Sequence, residues 1–81
     1  MDMKIEDTFA SADILLSSFL LTKRINFIEV KEITPRRFVF IFSNRLLCEK
    51  LSKEYLNNAT APARELFSNR EILISEIKLK N

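Results

Sequence analysis

The run Phe38-Val39-Phe40-Ile41-Phe42 constrains the fold of this chain more than any other stretch, because it is an uninterrupted series of residues that favour β-strands. Successive side chains of a strand point to opposite faces, so the three phenylalanines share one face while Val39 and Ile41 share the other. Large aromatic side chains dominate protein cores. The phenylalanine row therefore predicts the side of the strand on which helices pack.

The same run also allows a second interpretation, in which exposed rings stack on bases as in the aromatic strand of an RNA-recognition motif. That motif has a glycine between a basic residue and its first aromatic residue, and its elements follow the order βαββαβ. This chain contains no glycine, and its predicted order of elements is different. The interpretation as a core strand is therefore favoured.

Length and composition predict one small domain that spans residues 1–81. The chain is 47% apolar, and its 13 basic and 11 acidic residues leave a net charge of +2, which does not by itself indicate nucleic acid. The single cysteine fits a reducing compartment. The first seven residues mix charges of both signs, unlike a signal peptide, and the apolar segment from Ile14 to Leu21 is too short to span a membrane. We therefore expect a cytoplasmic protein without a membrane partner.

The absence of histidine and glycine excludes most familiar catalytic designs. Without histidine there is no Ser-His or Cys-His pair and no imidazole metal ligand, and without glycine there is no phosphate-cradling loop. Cys48 falls within an apolar helical stripe, as a buried small hydrophobe does. The sequence thus predicts a protein that is not an enzyme and has no metal, cofactor or small-molecule substrate.

The order of patterns predicts an α+β fold in the sequence helix–β-hairpin–helix–helix. Residues 1–8 form either an edge strand, with alternation from Lys4 to Phe9, or a tail. Ser11 is the expected N-cap of the first helix, Asn57 and Asn58 end the second helix in a left-handed conformation, and Thr60 caps the third. The first helix is expected to end at Thr22, and the two strands are expected at Ile25–Ile33 and Arg37–Phe42. The second helix runs from Arg45, capped by Ser43 or Asn44, to Leu56. The third helix has Pro62 in its first turn and ends near Leu79.

The hairpin register follows from the apolar pattern, since a pair Ile33–Arg37 around the Pro35 turn gathers apolar residues on the phenylalanine face. The resulting pairs are Val30–Phe40 and Ile28–Phe42 on that face, and Lys31–Val39 and Glu29–Ile41 on the other. Helical spacing predicts the inner faces of the last two helices. These are Leu46, Leu47, Cys48, Leu51 and Tyr55 in one helix, and Ala63, Leu66, Phe67, Leu73, Ile74 and Ile77 in the other.

The first helix is apolar around its whole circumference, with small Ser17, Ser18 and Thr22 between the large residues. Such a helix needs cover on all sides, and either the rest of the chain or another chain supplies it. The favoured function is therefore protein interaction, with a protein partner or a second copy in a homodimer. The candidate interface residues are Ile14, Leu21, Glu29, Lys31, Val39 and Ile41.

The alternative is an accessory nucleic-acid-binding protein that uses basic residues at the two ends of the hairpin. The candidate contacts are Lys23, Arg24, Arg36, Arg37 and Arg45. The basic doublets Lys23-Arg24 and Arg36-Arg37 lie about 30 Å apart along an extended strand, so they cannot form one compact patch. Arg45 follows the second strand and returns to the end that carries Lys23 and Arg24, where Lys50 or Arg64 would have to add charge.

Four local strings of the chain form a further pattern: Phe9-Ala10-Ser11-Ala12-Asp13, Arg37-Phe38-Val39-Phe40-Ile41-Phe42, Tyr55-Leu56-Asn57-Asn58 and Ala63-Arg64-Glu65-Leu66-Phe67. As a set they resemble a family of small bacterial and phage proteins that is catalogued as a domain of unknown function. The resemblance covers about Phe9 to Ile77, and it implies a bacterial, phage or mobile-element setting without implying any catalytic activity.

Overall fold

The computed structural model describes residues 7–57 and 60–80 and has the predicted α+β architecture. Its elements are β1 (Thr8–Ser11), α1 (Ile14–Thr22), β2 (Phe27–Thr34), β3 (Arg37–Ser43), α2 (Arg45–Leu56) and α3 (Ala63–Lys80). The strands form one antiparallel sheet in the order β1-β3-β2. The phenylalanine-rich strand is therefore the central one, and the helices pack on one side of it.

The segment before the first helix contains an edge strand, so of the two predicted forms the strand is confirmed for the described residues. β1 pairs with β3 on the side opposite β2, with Phe9 opposite Phe42 and Ser11 opposite Phe40. Within the described residues the strand covers Thr8–Ser11, and the part of the Lys4–Phe9 prediction before Asp7 lies outside them. A third strand matters because an isolated two-stranded hairpin is marginally stable at best.

The hairpin register is confirmed at its centre and wrong at both ends. The confirmed pairs are Val30–Phe40, Lys31–Val39 and Glu29–Ile41. At the ends, Phe27 replaces Ile28 opposite Phe42, and Thr34 replaces Ile33 opposite Arg37. Each exchange is a register shift that leaves one extra residue, Ile28 or Ile33, in β2.

Proline explains the shift next to the turn. The ring of Pro35 fixes its φ near −65°, and Arg36 has a φ of 73°, which together give the φ pattern of a type II turn. A type II turn does not match the twist of a hairpin as the primed turns do, whereas a bulge adds local twist. The extra residue Ile33 therefore reconciles the turn with the pairing further along the strands.

The other shift brings the ring of Phe27 into contact with the core phenylalanines of β3. The Phe27 ring lies 5.5 Å from that of Phe42 in an edge-on contact. Phe40 and Phe42 are fully buried and Phe38 is half-buried, so the predicted packing side of the phenylalanine row is confirmed. The other fully buried large side chains are Phe19, Leu20, Val30 and Leu73.

The first helix is covered by the sheet and by both other helices. The Phe19 ring contacts that of Tyr55 in α2, with 5.3 Å between centroids, and Thr22 accepts a hydrogen bond from Asn69 in α3. Ser17 and Ser18 are buried, and their hydroxyls donate to the carbonyls one helical turn earlier. Small side chains let the neighbouring elements approach closely at these positions.

The start of α1 differs from the prediction. Asp13 is the N-cap, since its carboxylate accepts hydrogen bonds from the backbone N–H groups of Leu15 (2.9 Å) and Leu16 (3.3 Å). Ser11 was the expected cap, but it is the last residue of β1 and pairs with Phe40. Strand pairing thus extends further into the chain than the capping pattern indicates.

The ends of the other helices are also partly corrected. Asn44 caps α2, as one of the two predicted residues, through a bond from the Leu47 N–H to its side-chain oxygen (3.3 Å). Asn57 ends this helix with a φ of −94°, so it is not left-handed; Asn58 lies outside the described residues. α3 begins after Pro62, whose carbonyl accepts from Leu66 (3.0 Å), and Thr60 lies too far upstream to be its cap.

Four side chains that were expected inside are exposed, and one of them is Leu47, at 37%. Leu46 is 80% exposed because it lies two residues before the buried Cys48, about 200° around the helix. Phe67 is 63% exposed and is turned about 120° away from the buried Leu73. Ala63 is exposed at the start of α3. The apolar arcs of these two helices are therefore wider than the faces that the core covers.

Candidate protein-docking face of the sheet

The side of the sheet that faces away from the helices is the best candidate for a functional surface. Its centre is formed by Val39 and Ile41, which alternate with the core phenylalanines along β3 and are half-buried. Lys31 lies directly opposite Val39, and Glu29 lies opposite Ile41. The structure therefore brings together these four of the six predicted interface residues.

Three further apolar residues extend this centre, and the sequence analysis did not identify them. Ala10 in β1 is exposed and lies opposite Ile41. Ala12 and Ile33 line, together with Val39, a cavity of about 200 Å³ near the hairpin turn. Ile33 is 62% exposed. The exposed Arg37 also lines this cavity and lies on the same side of β3 as Val39. Ala10, Ala12, Ile33, Val39 and Ile41, with the charged Glu29, Lys31 and Arg37 beside them, are called the open face below.

A sequence signal for these additions existed in part. Ala10 follows from the alternation of β1, because Phe9 and Ser11 point to the core and the residue between them must point away. Ile33 also follows from the predicted pair Ile33–Arg37, which sets it on the same side of the hairpin as Lys31 and Val39. The structure keeps it on that side, although Thr34 takes its place opposite Arg37. The pairing of β1 with β3 was needed to join the two sets of residues.

Charge on the open face is mixed and locally unpaired. Glu29 and Lys31 are both exposed and stand two residues apart on the same side of β2. In the described parts of the chain, the ion pairs are Arg45–Glu49 and Arg70–Glu71, so these two residues are in neither. Their charges are available to a partner that offers both signs.

The two predicted interface residues in α1 belong to a different part of the molecule. Ile14 and Leu21 are half-buried and pack against the core on the helical side of the sheet. Among the described residues of α1, Leu15 is the large apolar side chain that is exposed, at 54%. Of the two predicted sources of cover for this helix, its own chain supplies most of it.

The five candidate nucleic-acid contacts fall into two groups at opposite ends of the hairpin. Arg36 and Arg37 lie at the turn. At the other end, a hydrogen bond from the Ser43 N–H to the Asn26 carbonyl (3.0 Å) holds the end of β3 next to the chain that follows α1. The group at that end consists of Lys23, Arg24 and Arg45.

Two members of this second group already have partners. The Arg45 guanidinium lies 2.9 Å from the Glu49 carboxylate, one turn later in α2. The Lys23 ammonium lies over the Phe19 ring, 5.4 Å from its centroid. The group therefore presents less free positive charge than its residue count indicates.

Cys48 has the setting of a structural thiol. Its side chain is fully buried, and the Sγ–H donates to the carbonyl of Ser43 (3.3 Å). Burial raises the pKa of the Cys48 thiol above its ordinary value. A reactive cysteine has a lowered pKa and some exposure, so this residue is not built for nucleophilic chemistry.

Clusters of metal-ligating side chains and membrane-spanning helices are both absent from the described residues. Within residues 7–57 and 60–80, no three side chains of the metal-ligating types come together. None of the helices in this part of the chain is long and apolar enough to cross a membrane.

Family membership stays a prediction that depends on the four strings given above. No protein-family model matches the sequence, and comparison with curated proteins and with solved structures finds no match.

Proposed function

We propose that this chain is a non-enzymatic protein-interaction module that binds a second copy of itself through the open face. The observation that carries the proposal is the continuous apolar strip formed by Ala10, Ile41, Val39 and Ile33 across all three strands. Uncovered apolar surface of this kind is typical of protein-binding sites. The other side of the same sheet is filled by the chain's own helices.

The charge pattern favours a second copy over a partner of one charge sign. In a two-fold symmetric interface, residue i contacts residue j, and the partner's residue j contacts i. Glu29 and Lys31 lie two residues apart on the same face. A two-fold axis near Val39 and Ile41 then sets Glu29 against the partner's Lys31 twice. A uniformly charged partner would leave one of these residues unmatched.

The size of the open face predicts weak association. Three strands about 4.8 Å apart and seven residues of about 3.3 Å each give a patch of roughly 300 Å². A standard stable interface buries about 800 Å² on each partner. We therefore expect a reversible dimer that forms at high protein concentration. The predicted bacterial, phage or mobile-element setting, with a cytoplasmic location, belongs to this proposal.

A matched pair of isoleucine substitutions tests the location of the interface. Ile33→Lys adds a charge to the open face beside Val39, and Ile72→Lys makes the same change on α3, where the native residue is 52% exposed. Both sites are solvent-accessible, so neither change disrupts the core. Sedimentation velocity over a concentration series should show loss of the dimer for Ile33→Lys and no change for Ile72→Lys.

A charge exchange tests the identity of the partner. Glu29→Lys or Lys31→Glu alone should weaken the dimer about 5- to 30-fold, because each single exchange turns two attractive rim pairs into repulsive ones worth about 1–2 kcal/mol together. The double exchange Glu29→Lys/Lys31→Glu restores both pairs and should restore the dimer. A monomer at all concentrations contradicts self-association and points instead to a different protein partner.

A further inference from the structure

A polar groove at the end of the molecule remote from the hairpin turn is separate from the open face. It has a volume of about 320 Å³ and lies between the end of α1 and the first two turns of α3. Arg24 lines it from one side and Arg64 from the other, with Ser68 and Asn69 next to them. This volume falls at the lower end of the range of about 300–1,000 Å³ for small-molecule sites.

The floor of the groove is ordered by a chain of hydrogen bonds. The Asn69 amide nitrogen donates to the Thr22 hydroxyl (2.9 Å), and this hydroxyl donates to the carbonyl of Ser18 (2.9 Å). These bonds fix the orientation of the amide and join α3 to α1. The groove is thus a formed feature of the helix interface, and the donors at its rim stand on a rigid base.

The two arginines lack carboxylate partners within the described parts of the chain, where the ion pairs involve Arg45 and Arg70. Glu65 also lines the groove, so its three charged side chains leave one net positive charge. Arginine forks bind carboxylate and phosphate oxygens through paired hydrogen bonds. An anionic group in the groove has two guanidinium groups and the Ser68 hydroxyl as donors.

The backbone at Arg24 supplies an independent observation. α1 ends with the hydrogen-bond pattern of a Schellman motif, from Arg24 N–H to the Leu21 carbonyl (2.9 Å) and from Ile25 N–H to the Leu20 carbonyl (3.1 Å). Arg24 occupies the left-handed position of this motif, with a φ of 64°. Glycine is the usual residue there because it has no Cβ to strain the backbone. The strained position therefore carries a side chain that the helix end does not need, and that side chain enters the groove.

We infer that the groove between α1 and α3 binds the phosphate group of a small phosphorylated molecule, with Arg24 and Arg64 as its principal ligands. The two forks and the Ser68 hydroxyl bind the phosphate oxygens. Glu65 opposes the bound dianion and limits its affinity. The remaining volume accepts the group that bears the phosphate.

Three substitutions of the full chain test this site with inorganic phosphate as the probe. Amide chemical shifts in a ¹H–¹⁵N titration should saturate for residues around the groove in the native chain. Arg24→Gly should weaken phosphate binding at least tenfold while it raises the melting temperature in phosphate-free buffer, since it removes both a ligand and a strained residue. Arg64→Gln should also weaken binding, and Glu65→Gln should strengthen it.

Arg36→Gly is the matched control, because it relieves the same backbone conformation at the hairpin turn, away from the groove. It should leave the phosphate affinity unchanged. Titration with adenosine monophosphate distinguishes a phosphate bound alone from one carried by a nucleoside, through additional shifts beyond the groove. Shifts that do not saturate, or an equal loss of affinity in Arg24→Gly and Arg36→Gly, overturn the inference.

Discussion

Replacing Arg36 by glycine should stabilise this protein, because Arg36 adopts a φ of 73° at the hairpin turn. A residue with a Cβ in the left-handed region costs about 1–2 kcal/mol. Glycine removes this cost but adds about 0.5–1 kcal/mol through the larger freedom of the unfolded chain. The expected net gain is about 0.5–1 kcal/mol, which for a domain of this size raises the melting temperature by about 2–8 °C.

Thermal and urea unfolding followed by circular dichroism measure this gain, and Arg37→Gly supplies the control. Arg37 is the first residue of β3 and pairs with Thr34 of β2, and the φ of Arg37 is not positive. Glycine weakens a strand there, so the control should lose about 0.5–1 kcal/mol. If Arg36→Gly leaves the unfolding midpoint unchanged or lowers it, the backbone strain assigned to the turn is wrong.

Asn44 separates backbone strain from side-chain function, since it has a similar φ of 63°. Asparagine tolerates this conformation better than arginine, and the Asn44 side chain also accepts the Leu47 N–H at the start of α2. Asn44→Gly should therefore be neutral or destabilising. A gain equal to that of Arg36→Gly contradicts the assignment of Asn44 as an N-cap.

Substitutions at three further positions test the core, the helix interface and the thiol. Phe40→Ala should lower the free energy of unfolding by about 3–5 kcal/mol in urea titrations, because its ring is fully buried in the central strand; a loss below about 1 kcal/mol contradicts the packing. Ser18→Leu should cost about 1–3 kcal/mol by overpacking a buried position, whereas Ser18→Ala should cost less. Above pH 9.0, the ordinary pKa of the thiol, the unfolded chain loses the Cys48 proton before the folded chain does, so stability should fall as pH rises further. Cys48→Ala should remove this part of the pH dependence, and an unchanged profile contradicts the raised pKa.

The centre of the sheet could be predicted from the sequence because two independent patterns agree there. The alternation of β3 and the apolar residues of β2 both require Val30 opposite Phe40, and a slip by one residue reverses every side chain. At the ends no such agreement exists. Phe27 and Ile28 are both apolar, so hydrophobicity alone does not decide which of them faces Phe42, and the structure selects the aromatic residue.

Helix faces were harder to predict than strands, because tertiary contacts decide which part of a wide apolar arc is covered. In α1 the apolar residues surround the helix, so periodicity does not indicate which side stays open; Ser17 and Ser18 are buried, whereas Leu15 is exposed. Their hydroxyls bond to the helix's own carbonyls, so burial leaves no unpaired donor. In α2, Leu46 lies in the predicted apolar arc but is exposed, because the core covers only part of that arc.

The turn links the stability of the hairpin to the proposed docking surface. Pro35 excludes a primed turn because its φ is negative, and the extra residue Ile33 compensates for the resulting twist. That extra residue is a large apolar side chain of the open face and is 62% exposed. Arg36→Gly retains Pro35 and therefore retains the bulge, so it should stabilise the hairpin without reducing self-association. A primed two-residue turn at the same positions would still pair residue 34 with residue 37. One extra residue between Glu32 and Thr34 would then still be needed to keep Val30 opposite Phe40, so Ile33 would stay beside Val39.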